Sequence, residues 1–146
     1  MHRDAERASP DVRVDEILQA IEKVLQQQVQ VLPRVCVVPV RMQEAWLLFN
    51  ETAIRSAAGN HNGKMPLALP PIDTLEQLPD PKRDLYDLLR AASGLTGRRR
   101  KQFQAQKHAR RVAEFISDFA ALRTLSAFNR LEADIGQIVR EQGWNK

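Results

Sequence analysis

The predicted fold follows from residues 31–48, which read VLPRVCVVPVRMQEAWLL. The uninterrupted apolar run Val-Cys-Val-Val inside this stretch is typical of a strand buried on both faces, such as a central or parallel strand. Pro33 and Pro39 limit its regular hydrogen-bond ladder to the few residues between them. A helix over 42–58 is expected to follow, ended by Gly59. The stretch therefore predicts the strand–helix succession of an α/β domain.

Helical patterns dominate the rest of the chain. Ser9-Pro10-Asp11 combines a capping hydroxyl, a proline at the first helical position and an acid in the first turn, which predicts a helix to about Gln28. Further helices, marked by a start signal or by apolar residues at helical spacing, are expected over 81–93, 112–119 and 126–142. Because an isolated strand is unstable, either residues 1–5 and part of 59–79 add short strands or another polypeptide completes the sheet. The predicted class is α/β, mostly helical, with about five helices and a short parallel sheet built on one central strand.

The length of 146 residues fits a single domain, 1–146, that buries its own core. The predicted organisation is a partial α/β core in 1–58, a long loop over 59–79 and a helical C-terminal extension over 80–146. A loop of this length inside a domain is often functional.

Composition indicates a cytoplasmic protein without a membrane partner. No apolar run approaches the ~20 residues that span a bilayer, and the polar first residues contain no signal-peptide stretch. Cys36 is the single cysteine and can form no disulfide within the chain. It lies in an apolar run, where the role of a small buried hydrophobic residue is expected, and a reducing compartment follows.

Positive charge is concentrated in the C-terminal part. Residues 1–97 contain 11 Lys and Arg against 13 Asp and Glu, whereas residues 98–146 contain 11 against 5. The excess lies in a basic segment, residues 98–111, which has no acid and whose cations are Arg98, Arg99, Arg100, Lys101, Lys107, Arg110 and Arg111. Like charges this close repel one another, which favours an anionic neighbour such as nucleic-acid phosphates. A solvated helix face is the alternative, and the single aromatic residue, Phe103, gives little support for base stacking.

Several motifs spread over nearly the whole chain carry a resemblance to a known family. The most specific is Arg41-Met42-x-Glu44-Ala45-Trp46-Leu47-Leu48. The others are His2-Arg3-Asp4-Ala5-Glu6, Ala58-Gly59-Asn60-x-Asn62-Gly63, Leu69-Pro70-Pro71, Leu78-Pro79-Asp80-Pro81-Lys82 and Ala92-Ser93-Gly94-Leu95-x-Gly97-Arg98-Arg99. Together they resemble an uncharacterised bacterial domain family with a TOPRIM-like fold. The TOPRIM-like group is associated with metal-dependent nucleic-acid cleavage and, in several branches, with defence against phage.

The resemblance implies a metal site at the start of the chain. Asp4 and Glu6 would occupy the family's acidic-pair position, which follows the third strand of a four-stranded parallel sheet, with 35–40 as the fourth strand. Carboxylates suit Mg²⁺, and Glu44, just past that strand, is a candidate third ligand. The alternative for Glu44 is a first-turn acid that favours the helix dipole. The family's earlier glutamate and first two strands have no counterpart in this chain, so half of the acidic site is expected to be missing.

The expected function is that of a truncated or split TOPRIM-like module that engages nucleic acid through the basic segment, with a link to phage defence. An enzymatic activity, if present, is expected to be metal-assisted phosphodiester hydrolysis with a partner that supplies the missing glutamate. Two alternatives stay open. One is a non-catalytic interaction module whose sheet edge binds a companion protein or a second copy. The other is a fragment of a longer metal-dependent nuclease whose native start lies further upstream.

Overall fold

The computed structural model describes residues 5, 8–25, 33–40 and 42–144. Six α-helices form in this part of the chain: α1 (Pro10–Leu25), α2 (Glu51–Ala57), α3 (Pro81–Ala92), α4 (Gly97–Gln102), α5 (Ala105–Val112) and α6 (Ser126–Glu141). Four 3-10 helices connect them, over Gln43–Leu47, Ile72–Gln77, Ala113–Phe115 and Ala120–Thr124. Each helix in the described part is too short or too polar to span a bilayer.

The predicted strand is wrong where the structure describes it. Residues 33–40 form an irregular extended segment, with only Val37 in an isolated bridge, and no β-strand occurs in the described ranges. The prolines at 33 and 39 remove backbone donors at both ends, which leaves few residues for a regular ladder. The α/β class and the parallel sheet predicted from this strand, and the TOPRIM-like layer implied by the family resemblance, are therefore incorrect, and the described fold is helical.

Within the described residues, part of this apolar run packs against α1. Val38 packs with Ala5 and Ile17 in a small apolar cluster, and the half-buried Cys36 lies against it. The backbone N–H of Ala5 donates to the Pro39 carbonyl over 2.8 Å. Val38, which the sequence pattern assigned to a buried strand, is thus covered by a helix face.

The predicted helix over 42–58 is interrupted in its middle. A 3-10 helix ends at Leu47, and α2 begins at Glu51 after a turn. Asn50 causes the restart, because its side-chain oxygen accepts a hydrogen bond from the Ala53 N–H over 2.9 Å, as an N-cap does. The predicted end at Gly59 is confirmed, since α2 closes just before it.

The main core lies between α2, α3 and α5, which pack against one another. Ile54 from α2, Leu85 and Leu89 from α3, and Val112 from α5 are completely buried there. The predicted start of α3 is confirmed: Pro81 occupies its first turn, and the Asp80 carboxylate accepts from the Arg83 N–H over 3.0 Å. The locally encoded helices are thus held together by aliphatic side chains from three separate parts of the sequence.

The segment 59–79 is tied to the helices at several points. The buried Arg55 donates to the carbonyl oxygen of Met65, and Asn60 Nδ2 donates to the Ala92 carbonyl over 2.8 Å. Leu75, inside the 3-10 helix Ile72–Gln77, is completely buried. These contacts give the segment a structural role between α2 and α3.

The C-terminal region departs from the predicted helix over 112–119. The α-helical part ends at Val112, a 3-10 turn follows, and residues 116–119 leave the helix. The predicted last helix is confirmed as α6. Phe128 of α6 packs edge-on against Trp46 with ring centroids 5.5 Å apart. Arg130 of the same helix pairs with Asp11 of α1 over 2.8 Å, which joins the two ends of the described chain.

Candidate nucleic-acid interface

The basic segment folds into two short helices, α4 and α5, whose positive residues face outward. In α5 the buried positions are Ala105, Ala109 and Val112, a spacing of four and three that defines one helix face. Lys107 and Arg110 lie on the opposite face and are exposed. This helix therefore presents an inner apolar face to the core and an outer basic face to the surroundings.

Helix α4 carries Arg98, Arg99, Arg100 and Lys101, all of them exposed, and buries no residue of its own. Its position is fixed by the turn that follows it. The ring of Phe103 stacks on His108 at a centroid distance of 4.4 Å, and His108 Nδ1 lies 2.6 Å from the Ala57 carbonyl oxygen. Phe103 and His108 thus attach the basic segment to α2.

Most described arginines outside the basic segment pair with acids, whereas most cations inside it do not. Six arginines outside it, within the described ranges, pair with acids: Arg13, Arg55, Arg83, Arg90, Arg123 and Arg130. Inside the segment only Arg111 does so, with a 3.7 Å separation from Glu114. The other six cations form no ion pair or hydrogen bond through their side chains in the described part of the chain, and all six are exposed. Their charge is consequently free to attract an external anion.

A groove of about 920 Å³ borders this surface. It lies between the 3-10 helix Gln43–Leu47, α3 and α5, and we call it the α3–α5 groove. Its polar lining residues are Gln43, Glu44, Lys82, Tyr86, Gln106 and Arg110. Leu47, Ala109 and Ala113 supply apolar wall. Arg110 belongs to both the groove and the basic segment, so the two surfaces are continuous.

Glu44 is brought to this groove by the first turn of its 3-10 helix, so it is both a first-turn acid and a groove-lining residue. No group of three or more His, Cys, Asp or Glu side chains suited to a metal occurs in the described ranges. Asp4 and Glu6, the other two predicted Mg²⁺ ligands, lie outside the described residues. The proposed metal site stays a prediction.

Sequence reasoning missed the part that α3 plays in the groove. Lys82 sits in the charge-balanced stretch Asp80-Pro81-Lys82-Arg83-Asp84, which gives no sign of a basic surface. Tyr86 follows one helical turn later on the same side of α3. Only the packing of α3 against α5 places these two residues opposite Arg110.

Comparisons of the chain with protein-family models, with curated proteins and with solved structures found no match. The resemblance to a TOPRIM-like family stays a prediction.

Proposed function

We propose that this chain is a nucleic-acid-binding module that contacts phosphates through α4 and α5. The observation that carries the proposal is the set of six exposed cations without an acidic partner in the described chain: Arg98, Arg99, Arg100, Lys101, Lys107 and Arg110. A solvated helix face ordinarily intersperses acids with bases, as α3 does with its Arg83–Asp87 and Arg90–Asp87 pairs. The basic segment lacks that pattern, and an anionic ligand relieves its self-repulsion.

A polyanion suits this surface better than a single small anion. The cations extend over two consecutive helices of six and eight residues, which are about 9 Å and about 12 Å long at 1.5 Å per residue. Successive phosphates of a nucleic acid are spaced at a few ångströms along the chain, so several cations can be neutralised at once. The gain comes mainly from the release of condensed counterions.

The test is the salt dependence of binding to labelled oligonucleotides, measured by fluorescence anisotropy. Contact with several phosphates gives a log–log plot of affinity against salt whose slope is about −0.7 to −0.9 for each neutralised phosphate. Binding that is absent at low salt, or that does not weaken as salt rises, contradicts the proposal.

A metal-dependent activity on the bound nucleic acid is a separate question that rests on Asp4, Glu6 and Glu44. Titration with magnesium chloride by calorimetry, on the wild type and on Asp4→Ala, addresses it directly. Saturable heat that the substitution abolishes supports a site, and no heat from the wild type removes the nuclease interpretation. Nucleic-acid binding through α4 and α5 does not depend on the result.

A further inference from the structure

Several charged and polar side chains in the α3–α5 groove have no partner among the described residues. Glu44, Lys82 and Arg110 line the same groove, yet none of them forms an ion pair with another or with any other residue in the described ranges. The side chains of Gln43, Tyr86 and Gln106 likewise make no hydrogen bond within those ranges. A volume of about 920 Å³ falls within the range of roughly 300–1,000 Å³ in which small molecules are bound.

The charge arrangement restricts the chemistry of a ligand. Lys82 on α3 and Arg110 on α5 provide two cations that suit a phosphate. The Glu44 carboxylate can only accept hydrogen bonds, so it repels a bare phosphate and requires a donor group. A nucleotide carries both features, because its phosphate is anionic and the edge of an amino-bearing base donates hydrogen bonds. The half-buried Tyr86 and the aliphatic wall offer a surface for the face of the base.

Continuity with the basic segment indicates how a nucleotide reaches the groove. A strand that follows the cations of α4 and α5 arrives at Arg110, which is also a groove residue. A single strand can place an unstacked base in a pocket, whereas a duplex must first unpair and unstack one. A groove that holds an unpaired base would therefore favour single strands over duplexes.

We propose, building on the nucleic-acid binding inferred above, that the α3–α5 groove holds one unpaired nucleotide of a single-stranded nucleic acid. Lys82 and Arg110 contact its phosphates, and Glu44 accepts a hydrogen bond from the amino group of the base. Cytosine satisfies this arrangement through its N4 amino group, whereas thymine presents a carbonyl oxygen at that position. The preference for a base that carries an amino group therefore depends on the Glu44 carboxylate.

The test compares oligodeoxycytidine, oligodeoxythymidine and a mixed-sequence duplex, each of about twelve nucleotides, by fluorescence anisotropy. Wild-type protein is expected to bind oligodeoxycytidine about fivefold or more tightly than oligodeoxythymidine. Glu44→Gln is expected to bring that ratio close to one, because an amide also donates and so tolerates thymine O4. Lys82→Gln is expected to weaken both single strands by about fivefold and to leave duplex binding within about twofold. Circular dichroism of each variant verifies that the helices are retained.

The outcomes separate this inference from the function on which it rests. Failure of wild-type protein to bind any oligonucleotide at low salt overturns both. Single-strand binding that Arg99→Gln/Lys101→Gln weakens, but that neither Lys82→Gln nor Glu44→Gln alters, overturns the groove assignment alone. A duplex bound as tightly as the single strands also overturns it.

Discussion

The carboxylate of Glu76 caps a helix that begins 50 residues later in the sequence. Its Oε2 accepts from Ser126 Oγ over 2.9 Å, and its Oε1 accepts from the Ala127 N–H over 3.0 Å. The Ser126 N–H lies 3.3 Å from Oε2. Because the first N–H groups of a helix have no partner within it and its N-terminus favours negative charge, Glu76 stabilises α6 on both counts.

Glu76→Ala is expected to lower the free energy of unfolding by about 1–2 kcal/mol, since it removes an N-cap interaction. Urea denaturation followed by circular dichroism measures the change. Asp73→Ala is the control, because Asp73 is exposed in the same 3-10 helix and its change is expected to stay within about 0.5 kcal/mol. Equal losses in the two variants would contradict the capping role.

Gly94 and Gly59 provide a matched pair for backbone strain, since each lies just past the end of a helix at positive φ, +66° and +76° respectively. A Cβ at Gly59 meets nothing within 4 Å, whereas one at Gly94 lies 2.9 Å from Asn60 Nδ2. Gly59→Ala is expected to lower the free energy of unfolding by about 1 kcal/mol, because alanine is strained in the left-handed backbone conformation. Gly94→Ala is expected to lower the free energy of unfolding by about 2 kcal/mol, because its Cβ also displaces the Asn60 amide and breaks the hydrogen bond to the Ala92 carbonyl.

The background variant Asn60→Ala isolates the second contribution. In that background Gly94→Ala is expected to destabilise no more than Gly59→Ala does, because the atom that would be displaced is gone. Thermal and urea unfolding of the wild type, Asn60→Ala, Gly94→Ala and the double variant complete a double-mutant cycle. If Gly94→Ala remains more destabilising than Gly59→Ala in the Asn60→Ala background, a contact other than the Asn60 amide is responsible.

The basic segment can be tested with charge-matched variants. Arg99→Gln/Lys101→Gln removes two exposed cations from α4, and Lys23→Gln/Lys64→Gln removes two exposed cations elsewhere. The α4 variant is expected to reduce the magnitude of the log–log slope of affinity against salt by about 1.4–1.8, which corresponds to two phosphate contacts. The control pair is expected to leave the slope unchanged. An equal effect of both pairs would indicate that net charge, rather than α4, governs binding.

Arg123 and Glu132 form an exposed bidentate pair, with Arg123 Nη2 2.7 Å and Nε 2.8 Å from the two carboxylate oxygens. The hydrogen bonds and charge of Arg123 hold the pKa of Glu132 below its ordinary value of 4.5. A depressed pKa in the folded state stabilises the protein above pH 4.5, and that contribution disappears as the pH falls through the folded-state value. Arg123→Gln is expected to return the pKa of Glu132 toward 4.5, as followed by NMR of the side-chain carboxyl carbon. A Glu132 titration identical in both proteins would exclude the pairing in solution.

Local signals in the sequence determined where several helices begin and end. Pro10 starts α1, and Asp80 with Pro81 starts α3, so each of these two helices carries its start signal at its own first residues. Such signals work without tertiary context, because a capping side chain and the N–H it satisfies are neighbours in the chain. The basic segment was equally visible, since a run of cations without acids needs no fold to be recognised.

Tertiary structure alone decided what the apolar run around Val38 does and where the α3–α5 groove lies. An apolar run specifies burial but not the surface that buries it, and here α1 takes the place of the predicted strands. The placement of Lys82 and Arg110 in the same groove, like the cap of α6 by Glu76, brings together residues far apart in sequence. Those contacts depend on how the helices pack, and packing is set by the whole core rather than by any one segment.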